Sequence, residues 1–457
     1  MVVTEIILCC LFIAVTSWLL FKNYNPQWVL LFAGILMIAI AAILGITPVS
    51  PSQSTGSTIF DVFKIIEDKF LTSIVKLGFM IMTIGGYVAL MNRIKATDAM
   101  VYIATKPLSF LKGKTYLTSV MVIPIGMILY LTTPSASGLG LLLVSTIYPI
   151  LVNLGVSKLT ALSVISAATI FDMGPGSANT MRAAELFQSD HVVYFIGYQL
   201  PLVIPVTIVV MIVYYFTNRY FDRQDIKKGK QIYAEQIGNV DKPEVPLLFA
   251  FLPVMPLVLL IVLSKYVGLF DINISTALGM IVCVVITAVI LLIYKKNLKQ
   301  TLEMLRSFWD GMGSVFSSVV TLIVTAEIFA VGINSLKFID LLVMGTSSVG
   351  LGAVVITVLM TITVFFSATM IGSGNAAFFS FGPLVPEISR MFGVSTISML
   401  LPMQLCAGMG RATSPIAAVN VAIARIVGVS PIEIAKRNMF PMIIGSGFLL
   451  ILHFIIN

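Results

Sequence analysis

The chain has 457 residues, of which 58% are hydrophobic and 11% charged, a balance that excludes a soluble globular domain and places the protein in a lipid bilayer. Its net charge of +8 comes from basic residues in short segments between apolar runs, as the positive-inside rule produces, so no nucleic-acid partner is implied. Four cysteines without Cys-x-x-Cys spacing (Cys9, Cys10, Cys283, Cys406) and two histidines without ligand-spaced partners (His191, His453) give no metal site, haem or disulfide framework, and no cofactor is expected.

In chain order, the first apolar run is Glu5 to Phe21. No basic segment precedes it and no small-residue cleavage site follows, so it reads as a retained helix rather than a leader. Trp28 to Ile46 and Leu71 to Met91 follow, each close to the length needed to cross about 30 Å of hydrocarbon. Continuous apolar runs of this kind exclude the alternating pattern of a barrel, leaving an all-α polytopic fold. Residues 93–114 read either as a basic amphipathic segment on the inner membrane surface or as a solvated loop. A hairpin is predicted over about 116–152, a helix broken in its middle over about 158–190, and a plain span from Pro201, completing a first unit of residues 1–217. The basic stretch 218–244 is a predicted cytoplasmic linker, and residues 245–457 repeat the order, with a hairpin over about 351–391 and a broken helix over about 396–428.

The repeat is visible in the residues. Pro149, Gly155, Val156 and Ser157 recur as Pro386, Gly393, Val394 and Ser395, offset by 237 or 238, and Ser177 and Ser414 are again 237 apart. Five crossings per half, an odd number, turn the second copy upside down, so the expectation is an inverted-topology repeat with two re-entrant hairpins. With both termini periplasmic, 20 of the 28 basic residues fall on the linker side and 7 on the other, with Arg411 near the midplane, which agrees with that parity.

Four glycine-rich polar patches interrupt the apolar sequence: TTPSASGLG at 132–140, DMGPGSAN at 172–179, GSGNAAF at 372–378 and GMGRATSP at 408–415. Irregular backbone survives at membrane depth only where protein or a water-filled cavity satisfies it, and facing half-helix N-termini attract anions. Small residues also serve close helix packing, and that reading stands beside the binding one. Arg411 either meets an anionic substrate or pairs with Asp172, Glu327 or backbone carbonyls. Asp172 either takes a coupling proton or sodium ion or caps the half-helix after it, and Glu327, toward the outer end of its span, is a weaker candidate. No constellation for catalysis is present in the sequence, and no enzyme is expected.

The segments SASGLGLLLVSTIYPILVNLGVSK, GSGNAAFFSF, GRATSP and GVSPIEIAKRNMFPM resemble the anaerobic C4-dicarboxylate transporter family, Dcu type C with its type D branch, within the ion-transporter superfamily. KNYNPQWVLLFAGI and FWDGMGSVFSSVVTLIVTAEIFAVGI are similar to the type D branch. The resemblance implies a bacterial inner-membrane carrier of fumarate, malate or succinate by exchange, uptake or efflux, working under anaerobic conditions by an elevator-like cycle, and a homodimer. It also implies a substrate site lined by Ser135, Ser137, Gly138, Ser373, Gly374 and Asn375 at the hairpins and by Ser177, Asn179, Arg411, Thr413 and Ser414 at the breaks. GSGNAAF stands where relatives often have GSGNAPF, and FDMGPGSAN differs from the family's first break, so another small organic anion or an amino acid remains an alternative substrate.

Overall fold

The computed structural model describes residues 11–12, 14–20, 22, 24–44, 54–111, 113–233, 242–264, 267, 274–336 and 352–456. Much of the predicted first helix and residues 234–241 of the linker lie outside them. Among the described residues every regular element is helical and no strand occurs. Eight helices among the described residues are long and apolar enough to cross a membrane, as hydrocarbon requires of segments that must satisfy their own backbone.

In the first half, α1 (Pro26–Ile43) opens on Asn25, whose side chain accepts from the Trp28 N–H. Helix α2 (Thr58–Ser73) runs through a π turn, Ile74–Gly78, into α3 (Phe79–Arg93). Residues 93–114 then contain α4 (Ala96–Thr105), with Ala96, Ala99 and Val101 buried and the helix packed on the turn Leu247–Phe251. The solvated-loop expectation for this segment is therefore replaced by a packed helix: its small apolar residues make one face that the second half covers.

A two-helix hairpin follows, α5 (Thr115–Thr132) and α6 (Ala136–Asn153). Gly155, at φ +82, makes the turn into α7 (Lys158–Ala167), which Ser157 caps by accepting from the Thr160 N–H at 3.3 Å. This is the local reason for the Gly-Val-Ser motif: a left-handed glycine ends one helix and a serine starts the next. The chain then leaves helical geometry over 168–177, resumes as α8 (Ala178–Leu186), and ends the half with α9 (His191–Lys227).

The second half runs in the same order. Its plain helices are α10 (Met255–Val262), α11 (Thr276–Lys295) and α12 (Leu298–Ser335), the last with a π turn at Phe316–Val320. Its hairpin pairs α13 (Ala353–Ile371) with α14 (Gly374–Phe381), which continues through short helical turns to residue 391. Gly393 at φ +66 repeats the turn of Gly155. The broken helix is α15 (Thr396–Ala412) and α16 (Ala418–Val427), and α17 (Pro431–Ile456) closes the chain.

The GMGRATSP patch is helical further than the sequence suggests, since the interruption begins only at Thr413. Gly408 and Gly410 permit backbone contact instead: a Cβ on Gly408 would stand 1.8 Å from the Ile170 carbonyl oxygen, and one on Gly410 2.2 Å from that of Phe365. The packing reading holds for these two glycines.

Two groups of helices result. Helices α1, α2–α3, α11 and α12 pack together, with Gly85, Gly86 and Gly311 at the crossing of α3 and α12 and the two π turns in contact. In the second group α13 lies on α15 and α9 on α17, while α6 rests on α16 and α14 on α8. Each hairpin's second arm thus meets the second half-helix of the opposite half.

Candidate substrate-binding site

Three helix N-termini are capped by serines that the sequence singles out. Ser135 accepts from the Gly138 N–H at 3.3 Å, Ser373 from Ala376 at 3.2 Å and Ser177 from Thr180 at 3.2 Å. The cap of α8 is therefore Ser177, and the capping role considered for Asp172 is not the one it plays. Each N-terminus leaves further backbone N–H groups and a partial positive charge at its tip.

The tips converge. Asn179 on α8 donates from Nδ2 to Oδ1 of Asn375 on the second hairpin at 3.2 Å, joining the two halves. A cavity of about 480 Å³ is lined by Ser135, Asp172, Gly176 and Asn375 on one side and by Asn92, Ser307, Asp310 and Ser314 of α3 and α12 on the other. Asn92 also lines a second cavity of about 580 Å³ that takes in Thr133, Gly138, Lys95, Lys242 and Glu244. The first cavity thus borders on one that reaches the linker.

Asp172 is buried at 8% exposure, and its Oδ1 has no hydrogen-bond partner. Its backbone carbonyl is held instead, accepting from Gln404 Nε2 at 3.2 Å and from Ser177 Oγ at 3.2 Å. Gln199 accepts from the Gly174 N–H at 3.2 Å and bonds Thr180, while Tyr194 donates to Gln404 at 3.0 Å. The two glutamines shape the first break, yet the sequence reading passed over them. The signal available was an amide alone in an apolar run, which at membrane depth needs a partner.

Arg411, Thr413 and Ser414 are placed elsewhere: none of them lines the cavity of the hairpin tips. The Arg411 guanidinium donates to the carbonyl oxygen of Thr169 and, at 3.3 Å, to its hydroxyl, so of the partners weighed for it the backbone of the opposite break is the one present. Thr413 donates to the Gly410 carbonyl at 2.7 Å and bonds Thr369 at 2.8 Å, while Ser414 accepts from the Ile416 N–H at 3.3 Å. Ser137 and Gly374 lie in the first turns of α6 and α14. Glu327 is engaged with Arg182 and Lys69.

Among the described residues no Lys or Arg lines the 480 Å³ cavity; helix N-termini, amides and hydroxyls face it together with the carboxylates of Asp172 and Asp310. A small anion would meet its positive potential at the tips of α6, α8 and α14.

Comparisons with known proteins agree with this architecture. Two solved transporters have a similar fold at 14% identity. The Alcanivorax borkumensis YdaH transporter matches with a TM-score of 0.63 over 93% of this chain and 98% of its own, and Neisseria gonorrhoeae MtrF with 0.59 over 96% and 97%. Among curated relatives, the anaerobic C4-dicarboxylate transporter DcuC of Escherichia coli is 28% identical over 93% of this chain and 90% of its own length. The probable anaerobic C4-dicarboxylate transporter DcuC of Vibrio cholerae is 31% identical over 94% and 93%. The profile of the DcuC family, described as C4-dicarboxylate anaerobic carrier, matches residues 4–456, and the chain belongs to that family.

Proposed function

We propose that the protein carries C4-dicarboxylates such as fumarate, malate and succinate across a bacterial inner membrane by alternating access. The observation that carries this reading is the meeting of both hairpin tips and the first break at one cavity through Ser135, Asn375 and Asp172. The two carboxylates of the substrate would be held by the tips of α6 and α14, one from each half, with Asn179 fixing Asn375. Ser137, Gly138, Ser177, Ser373 and Gly374 complete these tips. Arg411, Thr413 and Ser414 act in this reading by holding the breaks in register.

The parallel helix order of the halves supports an inverted repeat in which α5–α6 and α13–α14 are re-entrant, the N- and C-termini are periplasmic and the linker is cytoplasmic. Helices α1–α3 and α10–α12 would be the scaffold, and the hairpins with α7–α9 and α15–α17 the unit that moves as an elevator. The pair of cavities reaching Lys242 would then make the present state inward-open. The buried, unpartnered Asp172 oxygen supports coupling to a proton or sodium ion, which would also offset the repulsion of a dianion. A homodimer would form through the scaffold.

A second reading is an amino acid substrate, favoured by the two carboxylates and the absence of lining Lys or Arg, which suit an ammonium group. Counterflow in proteoliposomes tests both. Vesicles loaded with succinate should accumulate labelled fumarate, with sodium or a pH step altering net uptake, and accumulation of aspartate in place of fumarate would select the second reading.

A further inference from the structure

At the far end of α12 from the cavity mouth, a charged cluster joins the two helix groups. Arg182 on α8 is 3% exposed, and its Nη1 pairs with Glu327 of α12 at 2.8 Å and with Glu185, one turn along its own helix, at 2.6 Å. Glu327 also meets Lys69 at 3.7 Å and accepts from the Ser73 hydroxyl at 3.3 Å, both on α2. The last α12 residue on the cavity wall is Val319, so Glu327, eight residues on, lies about 12 Å further along the helix. The cavity is bordered on the linker side and the cluster stands on the other.

We propose that Arg182 and Glu327 form a latch between the scaffold and the moving unit. The latch holds this inward-open arrangement and parts in every transport cycle. The inference rests on the carrier reading above. Neither residue touches the cavity; both are positioning residues, since Arg182 lies one turn from Asn179 and fixes the half-helix that aims it.

The composition of the cluster is what a separable contact needs. Removing one partner of a buried ion pair normally strands the other charge at high cost. Here each side keeps a partner of its own: Arg182 retains Glu185, and Glu327 retains Lys69 and Ser73. The scaffold share carries Lys69 and Glu327 and the mobile share Arg182 and Glu185, so each is neutral when apart. A permanent structural bridge has no need of this duplication.

The test uses the full chain with its four cysteines replaced, reconstituted in liposomes. Arg182→Cys with Glu327→Cys, joined by a reducible bifunctional thiol reagent, should lose dicarboxylate exchange by about tenfold or more and regain it on reduction. The single variants treated alike should each keep the rate they had before treatment. Exchange by the joined protein at the unjoined rate would overturn the latch by showing that both residues ride on one rigid unit. A second readout needs neither substrate nor both cysteines. With Val319→Cys as reporter, Glu327→Gln should increase labelling by an impermeant maleimide from the side opposite the linker, while Glu327→Asp should restore the parent pattern. Labelling unchanged by Glu327→Gln would overturn the latch even if fumarate proves not to be the cargo. A parent protein that shows this labelling change yet exchanges no dicarboxylate would keep the latch and overturn the carrier reading.

Discussion

Asn179 and Asn375 face each other from opposite halves of the chain at 3.2 Å, and their amides have no charge to lose on burial. Asn375→Ala should raise the KM for fumarate several-fold with little change in protein yield, because it removes a neutral bond at the site and leaves the Ser373 cap intact; initial rates of counterflow against concentration check this. Asp172→Asn removes a carboxylate whose Oδ1 has no protein partner. Exchange should survive while its response to sodium or pH is lost, measurable by counterflow across a pH and sodium series. Ser135, Asp172 and Asn375, which the structure brings to one cavity, were legible in the sequence because serine, asparagine and aspartate in glycine-rich breaks stand out from apolar runs. For Arg411 the sequence leaves substrate and backbone partners both open: its charge marks a buried partner but not which one, and the Thr169 carbonyl it meets is 242 residues away and carries no side-chain signature. Gln199 and Gln404 stayed hidden because each lies within a helical run that does not break there.

Helices α7, α9 and α17 meet at a buried ion network. Arg437, 1% exposed, bonds Asp222 at 2.7 Å and Asp225 at 2.8 Å, and Asp222 also accepts from Ser157 at 2.8 Å and Thr160 at 3.0 Å. Arg437→Ala would strand the buried Asp222 carboxylate, while Asp225 keeps Lys230 at 3.1 Å, and should cost about 3–5 kcal/mol, seen as a lower unfolding temperature in detergent. At this scale the sequence shows where helices bend better than where they end. The hairpins and the first break fall where proline, glycine and serine cluster. The second break is shorter than its motif, because Gly408 and Gly410 remain helical to admit the Ile170 and Phe365 carbonyls. In the same way, Gly85 and Gly311 allow α3 and α12 to touch. Gly311→Leu would force its side chain into Ala89 and the Gly85 carbonyl and should abolish expression of folded protein, read by size-exclusion profile.

For the whole molecule, the recurrence of Gly155-Val156-Ser157 as Gly393-Val394-Ser395 pointed to two halves, and each half does contain a two-helix hairpin, a broken helix and a long last helix in the same order. What the sequence offered less clearly was the pairing between halves, since α6 on α16 and α14 on α8 depend on shape rather than on any local motif. In the proposed inverted repeat an odd number of crossings in each half would put the two termini on one side. A C-terminal alkaline phosphatase fusion should therefore be active in intact cells, and a green fluorescent fusion there dark; the opposite pattern would reverse the assigned orientation.

The two interruptions are unequal: ten residues, 168–177, in the first half and five, 413–417, in the second. Were the halves identical, the two facing states of an alternating-access carrier would be mirror images of equal energy, and its kinetics would read the same from either face. Unequal breaks remove that equality. Net flux must still vanish when the electrochemical potentials match, so a lower KM on one face has to be accompanied by a proportionately lower maximal rate from that face. Under the proposed alternating-access reading the carrier would run faster from one face at saturating cargo while the two faces stay equal at low cargo, a difference that traces to the length of a single stretch of non-helical backbone.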